Sequence, residues 1–159
     1  MKIAIILLAA ALGIAGHAAA FEGQTQPTAP AAQAAPAPAA EPGHIQVQHI
    51  LIGFQGSVPG KNITRTLDEA RKLAYELLDR AKKGENFDAL VKQYTDDAHP
   101  GIYGMANKDV TPGPGEYPRG QMVPAFGDTG FPLKVGEIGI SDHDLKKSPY
   151  GFHIVKRTK

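Results

Sequence analysis

Two short runs of apolar residues, each with a histidine in its middle, mark out the folded part of the chain: Val47-Gln48-His49-Ile50-Leu51-Ile52 near its start and Gly151-Phe152-His153-Ile154-Val155-Lys156 at its end. Both read as strands, the first from His44 to Ile52 and the last from Ser148 to Lys156. Alternate side chains on a strand share a face. His49 therefore lies with Val47 and Leu51, and His153 lies with Gly151 and Val155. If the two strands are neighbours, two imidazoles meet on one sheet. A buried ring needs a hydrogen-bond partner, because leaving one unpaired costs about 1–3 kcal/mol.

Between them the apolar period changes to that of helices. Thr66-Leu67-Asp68-Glu69 has the form of a capping box. Ala70, Leu73, Ala74, Leu77, Leu78 and Ala81 then recur at i, i+3, i+4 spacing, and Lys82-Lys83-Gly84 closes the helix. A second, shorter helix starts near Asn86, with Phe87, Leu90, Val91 and Tyr94 on one face. Glycines and a proline make 53–65 a loop, and 95–101 is a polar turn. Ile102-Tyr103-Gly104-Met105 reads as a brief strand, and the proline- and glycine-rich stretch Asn107 to Pro118 as irregular. Gln121 to Phe126 opens a short helix that tolerates Pro124 in its first turn. A turn at 131–133 leads into a strand at 134–139, and 142–147 is a charged loop. The order of these elements predicts an α+β domain over 44–159.

Ahead of this domain the pattern is different. Met1-Lys2, the apolar run Ile3 to Gly16 and an Ala-x-Ala ending predict a signal peptide over 1–20, cleaved after Ala20, and hence a periplasmic or secreted protein. The run is shorter than the ~20 residues of a comfortable membrane span; the alternative reading is an uncleaved anchor. From 21 to 43 the chain is dominated by Ala, Pro, Gln and Thr, too little apolar surface to offset ordering entropy, and it is expected to be a disordered spacer.

Composition narrows the chemistry. A net charge of +1 with no long run of one sign argues against nucleic acid or an anionic membrane as partner. The absence of cysteine removes disulfides, thiolate metal sites and a cysteine nucleophile. His44, His99 and His143 fit no ligand spacing, so neither metal nor cofactor is expected, although a metal-binding role for the histidines is one reading to test.

Five passages in order resemble the parvulin family of peptidyl-prolyl cis-trans isomerases: His49-Ile50-Leu51-Ile52; Lys83-Gly84-Glu85-Asn86-Phe87-Asp88-Ala89-Leu90; Thr95-Asp96-Asp97; Gly120-Gln121-Met122-Val123-Pro124-Ala125-Phe126; and Lys134-Val135-Gly136-Glu137-Ile138 with Ser148-Pro149-Tyr150-Gly151-Phe152-His153-Ile154-Val155. The resemblance implies a four-stranded antiparallel sheet wrapped by helices, with the two histidine strands adjacent. It implies a polar centre of His49, Asp97, His153 and Ser148, and a proline pocket of Met122 and Phe126 with Tyr103 where the family usually has leucine. It also implies an isomerase that assists the folding of exported proteins and acts on proline-containing unfolded chains; a monomer is expected. A non-catalytic chaperone or peptide-binding module with the same fold is the alternative.

Three departures from the family pattern concern substrate choice. Pro100-Gly101 leaves one glycine where the family commonly has two, Tyr103 makes the pocket wall bulkier and more polar, and 107–118 is longer than the usual connection. Phosphate-selective parvulins carry a basic cluster straight after the first strand. Here that place reads Gly53-Phe54-Gln55-Gly56-Ser57, so phosphate selection is not expected.

Overall fold

The computed structural model describes residues 40–159, all of which belong to one compact unit. The expected signal peptide and all but the end of the expected spacer lie outside the described residues. Strand β1, His44–Ile52, is the centre of the sheet. Its side chains are buried on both faces, so it reads as a near-continuous apolar run.

Helix α1, Leu67–Lys82, starts at the capping box, with Thr66 and Glu69 each satisfying the other's backbone N–H. Helix α2, Phe87–Tyr94, is capped by the Asn86 side chain on the Ala89 N–H. Their apolar stripes, among them Ala74, Leu77, Leu90 and Val91, cover one face of the sheet against Ile50, Ile52, Phe152 and Ile154. Strand β2 is Ile102–Ala106, β3 is Glu116–Pro118, helix α3 is Pro124–Gly130, β4 is Ile138–Ser141 and β5 is Phe152–Arg157. The other face carries α3, where Phe126 and Phe131 pack with Ile45, Val47, Met105 and Val155. β1 therefore sends Ile50 and Ile52 to one core and Val47 to the other, as a period of two demands.

The sheet runs β3-β2-β1-β5-β4 and has five strands, not the four expected. The extra strand is β3, which lies parallel to β2 inside a stretch expected to be irregular. Its sequence hides it, because Tyr117 is its one apolar side chain besides Pro118. Side-chain bonds place it instead: the Glu116 carboxylate accepts the Gly113 N–H at 2.8 Å and meets His44 Nδ1 at 2.8 Å, folding the run back along β2. Pro118 is tolerated there because an edge strand leaves some N–H groups unneeded. The short helix also begins later than expected. A 3₁₀ turn occupies Arg119–Gln121, and α3 starts at Pro124, whose missing N–H costs nothing at the first helical position. Next to it Glu41, at the end of the alanine- and proline-rich stretch, pairs with Arg119 at 2.6 Å, so residues 41–43 are tied to the domain.

Candidate active site

The antiparallel pairing of β1 with β5 sets His49 opposite Val155 and Leu51 opposite His153. Both rings thus emerge on the α3 face, one diagonal step apart. Their centroids are 5.6 Å apart and nearly parallel, with Nδ1 facing Nδ1 at 3.4 Å. Both are almost fully buried, at 1% and 2% exposure.

Asp97 arrives from the turn after α2, and that turn is sewn to β1. Thr95 Oγ1 accepts the N–H groups of Leu51 and Asp97, and the Asp96 N–H donates to the Leu51 carbonyl at 2.8 Å. The Asp96 carboxylate accepts the Gly53 N–H and an Arg65 N–H, holding the 53–65 loop to the same turn. Gly101 completes the clip. It sits at φ +63°, its carbonyl accepts the His49 N–H at 2.9 Å, and a Cβ there would lie 2.8 Å from the His49 carbonyl oxygen. The result places Asp97 Oδ2 3.1 Å from His49 Nε2 and 3.2 Å from the Tyr103 hydroxyl.

The charges follow from these contacts. The His49 hydrogen bond, helped by the Ala98 N–H and the Tyr103 hydroxyl, outweighs partial desolvation and holds Asp97 down at about 2, an anion at neutral pH. An ionised carboxylate only accepts, so the Nε2–H of His49 and the phenol of Tyr103 are its donors. Burial, reinforced by the neighbouring His49, drives His153 down to about 3, which keeps it neutral. One proton is then shared between the two Nδ1 atoms, and His153 Nε2 has no partner among the described residues.

Beside this group lies a depression of about 370 Å³. Phe126 forms its floor, with ring centroids 4.5 Å from His49, 5.1 Å from His153 and 5.4 Å from Tyr103. Met122, Val123 and Leu51 line it further, and Val58, Pro59 and Tyr150 form a rim. Among the described residues no Lys or Arg lines it; in the adjoining loop Lys61 is exposed and Arg65 is engaged by Asp96. A larger depression of about 710 Å³ opens on the opposite face, around Gln48, Phe87, Leu133 and Lys156, away from the histidines and Asp97.

Six of the seven residues singled out from the sequence meet here: His49, Asp97, His153, Tyr103, Met122 and Phe126. Ser148 does not join the histidines. Its buried hydroxyl donates to the Gly151 carbonyl and its own carbonyl meets His143 Nδ1 at 3.0 Å, so it shapes the turn into β5. The rim residues Val58, Pro59 and Tyr150 were not legible, because they stand in loops with no periodicity to give them a face.

A family model described as a PPIC-type PPIase domain matches residues 37–159, more than three quarters of the chain. The chain belongs to this family, the parvulin-type peptidyl-prolyl cis-trans isomerases. It is 41% identical over 85 residues to the foldase protein PrsA of Caldanaerobacter subterraneus subsp. tengcongensis, a match that covers 54% of this chain and 24% of that protein. It is 33% identical over 111 residues to the chaperone SurA of Chromohalobacter salexigens, covering 70% of this chain and 21% of that one. The isomerase ESS1 of Candida albicans superposes with a TM-score of 0.57 at 28% identity, covering 74% of this chain and 63% of that chain. The chain thus spans between a fifth and a quarter of the length of these two foldase and chaperone relatives. What is shared with them is the isomerase domain.

Proposed function

We propose that this protein catalyses cis-trans isomerisation of Xaa-Pro bonds in unfolded exported polypeptides, in the slot between the two histidines and α3. The observation that carries the reading is the placement of an ionised Asp97, anchored by His49 and Tyr103, at the mouth of an apolar pocket floored by Phe126.

The reaction makes and breaks no covalent bond. Its barrier, about 18–20 kcal/mol, is loss of amide resonance, and the uncatalysed exchange takes tens of seconds or longer. In the planar amide the carbonyl oxygen carries partial negative charge donated by nitrogen; in the twisted state that charge has returned. A fixed anion beside the oxygen therefore raises the energy of the planar form relative to the twisted one, which is differential stabilisation of the transition state. Met122 and Phe126 would grip the pyrrolidine ring while the carbonyl swings past Asp97. A proline ring seated on the apolar lining would displace water that solvates the planar dipole. The pair of imidazoles fixes the position of Asp97 rather than transferring a proton to substrate. With an anion and no cation among the described residues at the slot, an acidic or phosphorylated residue before proline is disfavoured.

Export rests on the leader pattern of residues 1–20, and an unfolded-protein substrate on the foldase and chaperone names of the relatives. Two-dimensional exchange NMR on a short Ala-Pro peptide tests the activity. Exchange cross-peaks on a subsecond timescale are expected with catalytic amounts of protein. A rate equal to buffer overturns the reading and leaves a peptide-binding module.

A further inference from the structure

Four rings stand in a row across four strands of the sheet, all on the α3 face: Tyr117 from β3, Tyr103 from β2, His49 from β1 and His153 from β5. Successive centroids are 6.2, 5.4 and 5.6 Å apart. The row begins at the candidate site and leaves it through Tyr117, which the register pairs with buried Met105 and which is 49% exposed. β3 is held in place by Glu116, through Gly113 and His44, so the exposed ring stands on a braced edge rather than on a loose loop.

We propose that Tyr117, with the outer edge of Tyr103, forms a second subsite that takes an aromatic side chain of the substrate two or three residues from the proline. This rests on the isomerase reading of the slot and extends it. The distance sets the position. From His49 to Tyr117 is about two strand spacings, ~10 Å, and an extended peptide advances about 3.3–3.6 Å per residue. A peptide whose proline fills the slot over Phe126 and which runs along the row brings its second or third neighbour over Tyr117. The chemistry sets the occupant. The shelf offers the exposed ring of Tyr117 and an edge of Tyr103, neither of them charged, and an aromatic side chain is what two tilted phenol rings accept in edge-to-face contact. The contact precedes and outlasts the twist of the amide, so it strengthens binding of ground and transition states alike and acts on KM rather than on kcat.

The test is a series of alanine-based peptides with one proline and a single Phe moved through the three positions on either side of it. With the wild-type protein, one position two or three residues from the proline is expected to lower KM about three- to tenfold relative to the all-alanine peptide, with kcat unchanged. Tyr117→Ala should abolish this preference and Tyr117→Phe should retain it. A preference that survives Tyr117→Ala, or no preference in the wild type, overturns the subsite. Should the wild type turn over none of the peptides, the isomerase reading itself fails. Chemical-shift titration of the same peptides then still decides the shelf: tighter binding of the Phe peptide, lost in Tyr117→Ala, supports it, and equal binding refutes it.

Discussion

Asp97 owes its charge to its donors, and each donor is a separate handle. Tyr103→Phe keeps the ring against His49 and Phe126 but removes the hydroxyl that lies 3.2 Å from Asp97. The Asp97 carboxyl is expected to titrate above its present value of about 2, which carbon-detected NMR would register; an unchanged titration contradicts the role given to Tyr103. His153 bears on stability in a higher pH range. It is held neutral in the folded protein down to about 3, while in the unfolded chain it protonates near its ordinary value of about 6.5. The unfolded state therefore binds more protons between these values, and stability fully present above about pH 6.5 is lost as pH falls toward 3. The loss should be on the order of a few kcal/mol, read by urea denaturation at pH 7 and pH 4. His153→Asn should flatten that slope, and an equal slope in the variant would refute the assignment. Strand period gave each histidine its face, while the adjacency of the two rings and the place of Asp97 were legible only through the parvulin resemblance. Tyr117 and Tyr150 were not, since an aromatic in a proline-rich run or a tight turn carries no signal of which way it faces.

At the scale of elements, the site depends on three pieces meeting: the β1–β5 pair, the turn after α2, and α3. The two strands of the first were readable from their apolar runs and their pairing from the family resemblance, and α1 and α2 from their caps and stripes. β3 was missed because side-chain bonds of Glu116 define it, not an alternating pattern. Two substitutions probe how tightly the pieces are set. Gly151 lies at φ +136°, where a Cβ would come within 2.2 Å of the Ile52 carbonyl, so Gly151→Ala must push β5 away from β1. It should lower the melting temperature and weaken isomerase activity together, as the two rings move apart. Phe126→Ala removes the slot floor from a helix that is otherwise well packed. At 4% exposure the ring is a core residue, and its loss should cost about 3–5 kcal/mol if the site does not collapse. Activity should fall further than stability accounts for, even at temperatures where the variant is fully folded. Full activity in the folded variant would remove Phe126 from the slot.

For the molecule as a whole, the two faces of one sheet are given to two tasks. α1 and α2 close a plain apolar core on one side; α3 leaves the other side partly open, and the polar centre stands in that opening. The family model matches residues 37–159, and the stretch shared with the foldase PrsA is 24% of that relative's length. The central claim is that proline turns on the α3 face, between Phe126 and Met122 and under Asp97. Intermolecular nuclear Overhauser effects with a proline peptide under exchange conditions test it most directly. Contacts from the proline ring protons to the Phe126 ring and the Met122 methyl are expected. Contacts instead to Phe87, Leu133 or Ile138, which line the larger depression on the opposite face, would contradict it.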